Sequence, residues 1–141
     1  MRWAAVAALM LLSQAAPVRA TVVVATDLAS LSRDARLIVR GRVLSTEGRW
    51  TDDHRAIETI VTLQVESAMK GATAGPMQFL VPGGVLGRYR SVFVGAPHFE
   101  AGEQVVVFLS ARGAGLPSVI ALSQGVYRLS MADGTWMVTP P

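Results

Sequence analysis

From Leu37 onward, apolar and polar side chains alternate with a period of two, the pattern of strands that bury one face. Leu37, Val39, Gly41 and Val43 alternate with Ile38, Arg40, Arg42 and Leu44, so one face is apolar and the other mixed. Gly41 within that run predicts a bulge or a sharp bend. A polar link, Thr51-Asp52-Asp53-His54-Arg55, turns the chain into the cleanest alternation. There Ile57, Thr59, Val61, Leu63 and Val65 oppose Glu58, Thr62, Gln64 and Glu66, with Ile60 the exception. Ser67 to Gly71 closes this strand, and a third runs from Met77 to Val81. Pro82-Gly83-Gly84 ends it, because proline and paired glycines do not continue a ladder.

Further along, Arg88, Tyr89, Arg90 and Ser91 dilute the pattern, although Val92-Phe93-Val94 reads as extended. Gly95-Ala96-Pro97 breaks the chain again, and Ala101-Gly102-Glu103 forms a turn. Val105 to Leu109 is apolar on both faces, the mark of the most buried strand. Extended runs follow at Val119–Leu122 and Val126–Leu129, with a kink at Gly125. Asp133-Gly134 then predicts a tight hairpin into Trp136-Met137-Val138. The chain ends in Pro140-Pro141.

The period differs before Leu37. Thr26 is placed to cap a helix, Asp27 suits its positive end, and Leu28, Leu31 and Ala35 fall on one face. Thr21 to Ala25 is a short β-prone run. The first residues have the plan of an export signal: Arg2, an unbroken apolar run from Trp3 to Leu12, then a polar stretch containing Pro17. Val18 and Ala20 fit the −3 and −1 positions of signal peptidase, so cleavage is expected after Ala20. Ten apolar residues are too few to cross a bilayer, which takes about 20.

Six to eight short strands after one helix, with turn signals between them, predict a mainly β fold. The expectation is a small OB-like antiparallel barrel over residues 21–141 with one short N-terminal helix, preceded by a signal peptide at 1–20. A barrel is favoured over an immunoglobulin-type sandwich because Gly41 and Gly125 suit strong coiling. The chain has no cysteine, which excludes disulfides, thiol catalysis and thiolate zinc sites. Of 13 basic residues, Arg2 and Arg19 leave with the leader, so 11 face 10 acidic ones. A nearly neutral domain lacks the positive field that nucleic acid requires. No membrane association is expected after cleavage.

Several segments carry a resemblance to a known group. Leu37-Ile-Val-Arg-Gly-Arg-Val43, Ser67-Ala-Met-Lys-Gly71, Val81-Pro-Gly-Gly84, Gly95-Ala-Pro-His-Phe-Glu-Ala-Gly-Glu103 and Ser123-Gln-Gly-Val-Tyr-Arg128 resemble an uncharacterised family of exported bacterial proteins. The resemblance implies an OB-like barrel and, for some members, association with secreted metalloproteases. It implies no catalytic residues.

The residues themselves supply few candidates for chemistry. His54 and His98 are the only imidazoles, and Asp52-Asp53-His54 reads as a solvated turn because consecutive side chains splay apart. Glu100 and Glu103 flank a turn, where Glu103 is suited to accepting bonds from turn amides. No serine lies in a G-x-S-x-G elbow, and Gly83, Gly84 and Gly87 are not followed by a phosphate-binding helix. No metal and no cofactor are implied. Arg88, Tyr89 and Arg90, extended by Trp50, form the one candidate binding surface, of residue types favoured at interfaces. The sequence therefore points to an exported, periplasmic or extracellular, non-catalytic binding or accessory module. Its expected partner is another exported protein, such as a protease. A small metal- or carboxylate-dependent enzyme and a structural envelope protein are the rival expectations.

Overall fold

The computed structural model describes residues 25–111 and 113–141. The expected leader at 1–20 and the β-prone residues Val22–Val24 lie outside the described residues. Helix α1 spans Leu28–Asp34 and is capped by Asp27, whose Oδ1 accepts the Ser30 amide at 2.6 Å. Asp27, not Thr26, is thus the cap: its backbone is extended and its carboxylate reaches the third amide of the helix. Leu31 and Ala35 are buried as expected, whereas Leu28 lies in solvent, one turn too early to reach the sheet.

Two long strands begin the barrel. β1 (Leu37–Trp50) pairs with β2 (Ile57–Lys70) along its whole length, and through residues 37–42 with β6 (Gln104–Ser110) on its other edge. β2 pairs with β3 (Pro76–Pro82). β7, only Ser118–Val119, bridges β3 and β6 and completes the circuit β1-β2-β3-β7-β6-β1. This closed five-stranded Greek-key circuit is the expected OB-like barrel. One pair in it, β3–β7, is parallel, through Leu80 and Ser118. The Leu80 amide reinforces that seam by donating to the Pro117 carbonyl at 2.8 Å.

Coiling of β1 follows from its irregular register. The pairing with β2 shifts between Arg40 and Gly41 and again between Val43 and Ser45, placing a bulge where the glycine predicted one. At Gly41 a Cβ would run into the Gln64 carbonyl, so the two backbones approach closer than any side chain permits. Inside the barrel, Val39, Val43, Val61, Leu63, Phe79, Val105, Val107, Leu109 and Val126 form the main core. A second cluster lies outside the sheet, where Leu31 of α1 and Ala35 at its C-terminal cap cover Ile38 and Phe108. Both faces of β6 are therefore covered, which explains its continuous apolar sequence. Lys70 ties the helix end to β2, its Nζ donating to the carbonyls of Ser32 (2.7 Å) and Arg33 (3.1 Å). A cation at the negative end of a helix is favourable.

The second half of the chain departs more from expectation. β4 (Gly84–Leu86) and β5 (Tyr89–Ser91) form a separate small hairpin. Val92–Val94, expected to be extended, is not a strand and is exposed. The β-prone side chains there have no sheet edge to join. Val119–Leu122 contributes only its first residue to β7. Ala121 and Leu122 adopt left-handed backbone angles, with φ of 52° and 55°, and a 3₁₀ turn spans Leu122–Gly125. β8 (Val126–Ala132) then pairs with β6, and β9 (Thr135–Thr139) pairs with β8 across Asp133-Gly134. Both turn residues have positive φ, 49° and 75°, as a two-residue hairpin of this kind requires. Among the described residues no helix is long and apolar enough to cross a membrane.

The bulge yields a direct test. Gly41→Ala should destabilise the barrel by about 1–3 kcal/mol, the cost of overpacking a site that cannot relax. The measurement is a urea midpoint; an unchanged midpoint would mean that the close approach to Gln64 is dispensable.

Candidate functional site

The feature most able to hold a ligand is a cleft of about 350 Å³ at one end of the barrel. Five stretches of chain build it, among them β2 through Thr59. The end of β1 contributes Thr46 and Glu47, the end of β3 contributes Val81, the β4–β5 hairpin contributes Arg90, and the loop after β5 contributes Phe93 and Phe99. Gly48 and Gly84 make the assembly possible by removing side chains at the contacts. A Cβ on Gly48 would meet the Val85 carbonyl, and one on Gly84 would meet the Thr59 hydroxyl. Instead, Thr59 Oγ1 donates to the Gly83 carbonyl at 2.7 Å and the Gly83 amide donates to the Ile57 carbonyl at 3.0 Å, anchoring the hairpin root on β2.

Phe99 is the floor. It is 4% exposed and meets Phe79 edge-to-face at 5.5 Å between centroids, plugging the barrel end. The chain after it is fastened by backbone bonds: Val43 donates to the Glu103 carbonyl at 2.9 Å, and Gly102 donates to the Val43 carbonyl at 2.8 Å. Glu103 has the structural duty expected of it. Its Oε2 accepts the Glu100 amide at 3.0 Å, and its Oε1 lies 3.4 Å from Arg128 Nε. Arg128 in turn donates to the His98 carbonyl at 2.6 Å. Sequence reading missed Phe99. Its signal was a single aromatic bracketed by Pro97 and Gly102, a residue that a wet turn would not need.

The structure brings three of the four candidate binding residues into one cluster. Trp50 and Tyr89 lie 5.5 Å apart between ring centroids at an angle of 59°. The Arg88 guanidinium sits 5.1 Å above the Tyr89 ring, and its Nη2 donates to the tyrosine oxygen at 3.0 Å. Arg90, the fourth, lines the cleft, and among the described residues its guanidinium has no hydrogen-bond or ion-pair partner. Neighbouring Arg49 is committed elsewhere: it grips Glu58 through Nη2 at 2.7 Å and Nε at 2.8 Å.

The acids and imidazoles form no comparable assembly. His98 Nε2 and Glu100 Oε1 are 3.8 Å apart, but their side chains are 85% and 75% exposed, and water screens the pair. Asp53 is used by its own turn. Its Oδ1 accepts the Thr51 hydroxyl at 2.6 Å and the Arg55 amide at 3.2 Å. The Thr51 bond first, and the Arg55 amide second, hold its carboxyl below the usual value. Asp27 is lowered in the same way by the Ser30 amide. Among the described residues no group of three His, Asp or Glu is placed to hold a metal ion.

The fold and cleft together define a closed five-stranded OB-like barrel with an end pocket beside an aromatic–arginine cluster. No family model, curated protein or solved structure matches the chain.

Two substitutions test this construction. Phe99→Ala removes the floor and should cost about 3–5 kcal/mol, measured by denaturant unfolding. Gly48→Ala should push the β4–β5 hairpin off β1. The expected readout is altered Trp50 fluorescence, since Tyr89 would leave its ring; an unchanged spectrum would contradict the packing.

Proposed function

We propose that this chain is an exported, non-catalytic binding module that captures another exported protein, such as a protease, through the cleft and its rim. The observation that carries this reading is the contrast between Arg90 and its neighbours. Arg49 and Arg128 are spent on internal partners, and Arg88 is held on Tyr89, but Arg90 is exposed at the cleft lining with no partner among the described residues. A guanidinium presents five donors in a fixed fork, suited to a carboxylate or to carbonyls of a bound chain. Beside it, Trp50 and Tyr89 supply flat apolar area at low entropic cost, and Phe93 is half exposed at the cleft wall. The size suits one or two side chains of a partner rather than a whole domain face.

Export enters the proposal from the leader-like residues 1–20 alone. Association with a protease rests on the family resemblance.

The test is capture from the secreted and periplasmic fractions, comparing the wild type with the Arg88→Ala/Arg90→Ala double variant. One partner should be retained by the wild type and fall by about tenfold or more with the variant. Neither arginine supports the core, so the melting temperatures should agree. Equal retention by both proteins, or no retained partner, would refute the proposal.

A further inference from the structure

β9 is an edge strand that Pro140-Pro141 follow but whose own five residues carry none of the usual protection. The seven-stranded sheet ends on it, and all five of its residues are exposed. Natural edges are blunted by lysine, proline, a bulge or a covering loop. Thr135-Trp136-Met137-Val138-Thr139 contains no charge and no proline, and its pairing with β8 is regular. Trp136, Met137 and Val138 are 41%, 53% and 57% exposed.

The register says which backbone groups are free. Ala132 and Thr135 flank a two-residue turn, so they form a hydrogen-bonded pair, and the pairs alternate from there. Thr135, Met137 and Thr139 therefore turn their amides and carbonyls toward β8. Trp136 and Val138 turn theirs outward, leaving two donors and two acceptors aimed away from the sheet.

We infer that a second copy of this chain pairs with this edge, β9 against β9, antiparallel about a two-fold axis through Met137. The sequence is nearly its own reverse about that residue. Antiparallel pairing sets Thr135 opposite Thr139 of the second copy, Trp136 opposite Val138, and Met137 opposite itself. Trp136 and Val138 are the outward-facing residues, so this register joins all the free groups in four backbone hydrogen bonds. Threonine–threonine and aromatic–β-branched pairs are among the favourable cross-strand combinations. The strand itself carries no charge, and the Arg40 guanidinium that lies 4.8 Å from the Trp136 ring centroid is paired with Glu66 at 3.5 Å. A two-fold join also closes on itself, stopping at a dimer.

The side chains continue the match. Leu129 and Met131 share the face of Trp136 and Val138, as their cross-strand partners. The two-fold lays this face beside its copy, so each Trp136 packs on a Val138. Five residues a side bury well under the roughly 1,200 Å² of a stable interface. The dimer is accordingly weak, with a dissociation constant on the order of 0.1–1 mM.

Sedimentation over a concentration series tests this with two variants. Val138→Pro deletes one outward amide but no bond to β8, and proline is tolerated on an edge strand. Met137→Lys places like charges against each other on the axis while leaving the monomer's packing untouched. The wild type should dimerise as it approaches roughly 1 mM, and both variants should stay monomeric with unchanged melting temperatures at low concentration. A wild type that remains monomeric throughout would overturn the inference. A dimer that survives Val138→Pro would also overturn it, since joining by side-chain faces does not need that amide.

Discussion

The architecture depends on one strand holding two partners at once. β1 gives one edge to β2 and, over residues 37–42, the other to β6. A flat strand in that position would extend an open sheet; a coiled one brings the sheet's ends around. The bulge at Gly41, where the backbones of β1 and β2 come into contact, supplies the coiling. The circuit is then completed by the brief parallel contact of Leu80 with Ser118. Closure also sets where a ligand can bind. With the interior filled by valine, leucine and phenylalanine, the cleft lies at an end, over Phe99.

That end is assembled from parts distant in sequence, and each is held by a different means. The hairpin root is tied by Thr59, the loop by backbone bonds to Val43, and the Phe99 ring by the core. Arginine use divides along the same line. Arg40, Arg49 and Arg128 have acidic or carbonyl partners, whereas the hairpin presents Arg88 on an aromatic ring and Arg90 to open space. The cleft is thus anchored on three sides, and Arg90 on its lining is left without an internal partner among the described residues.

Much of the barrel was legible because burial of one face imposes a period of two. β1 and β2 follow their alternation, and Asp133-Gly134 marks its hairpin unambiguously. The two-sided apolar run at Val105–Leu109 announces a strand covered on both faces, although not that a helix covers the second. Val92–Val94 misled because propensity is weak without a partner edge. The stretch 119–122 misled because left-handed backbone at Ala121 and Leu122 is imposed by tertiary packing and leaves no local sequence mark. The candidate surface was legible in kind, since Trp50, Arg88 and Tyr89 do meet. The cleft was not, because its walls converge only after closure.

The break between β7 and β8 has a further consequence. A continuous fifth strand would bind the seam and the terminal hairpin into one unit, so that a change in either would be felt in both. Here Leu122–Gly125 intervenes, and the barrel is complete before β8 begins. Val126 still fills the core and Arg128 still holds the His98 carbonyl, so the arm is rooted in the enclosure, while β9 beyond it can diverge or lengthen without reopening the barrel.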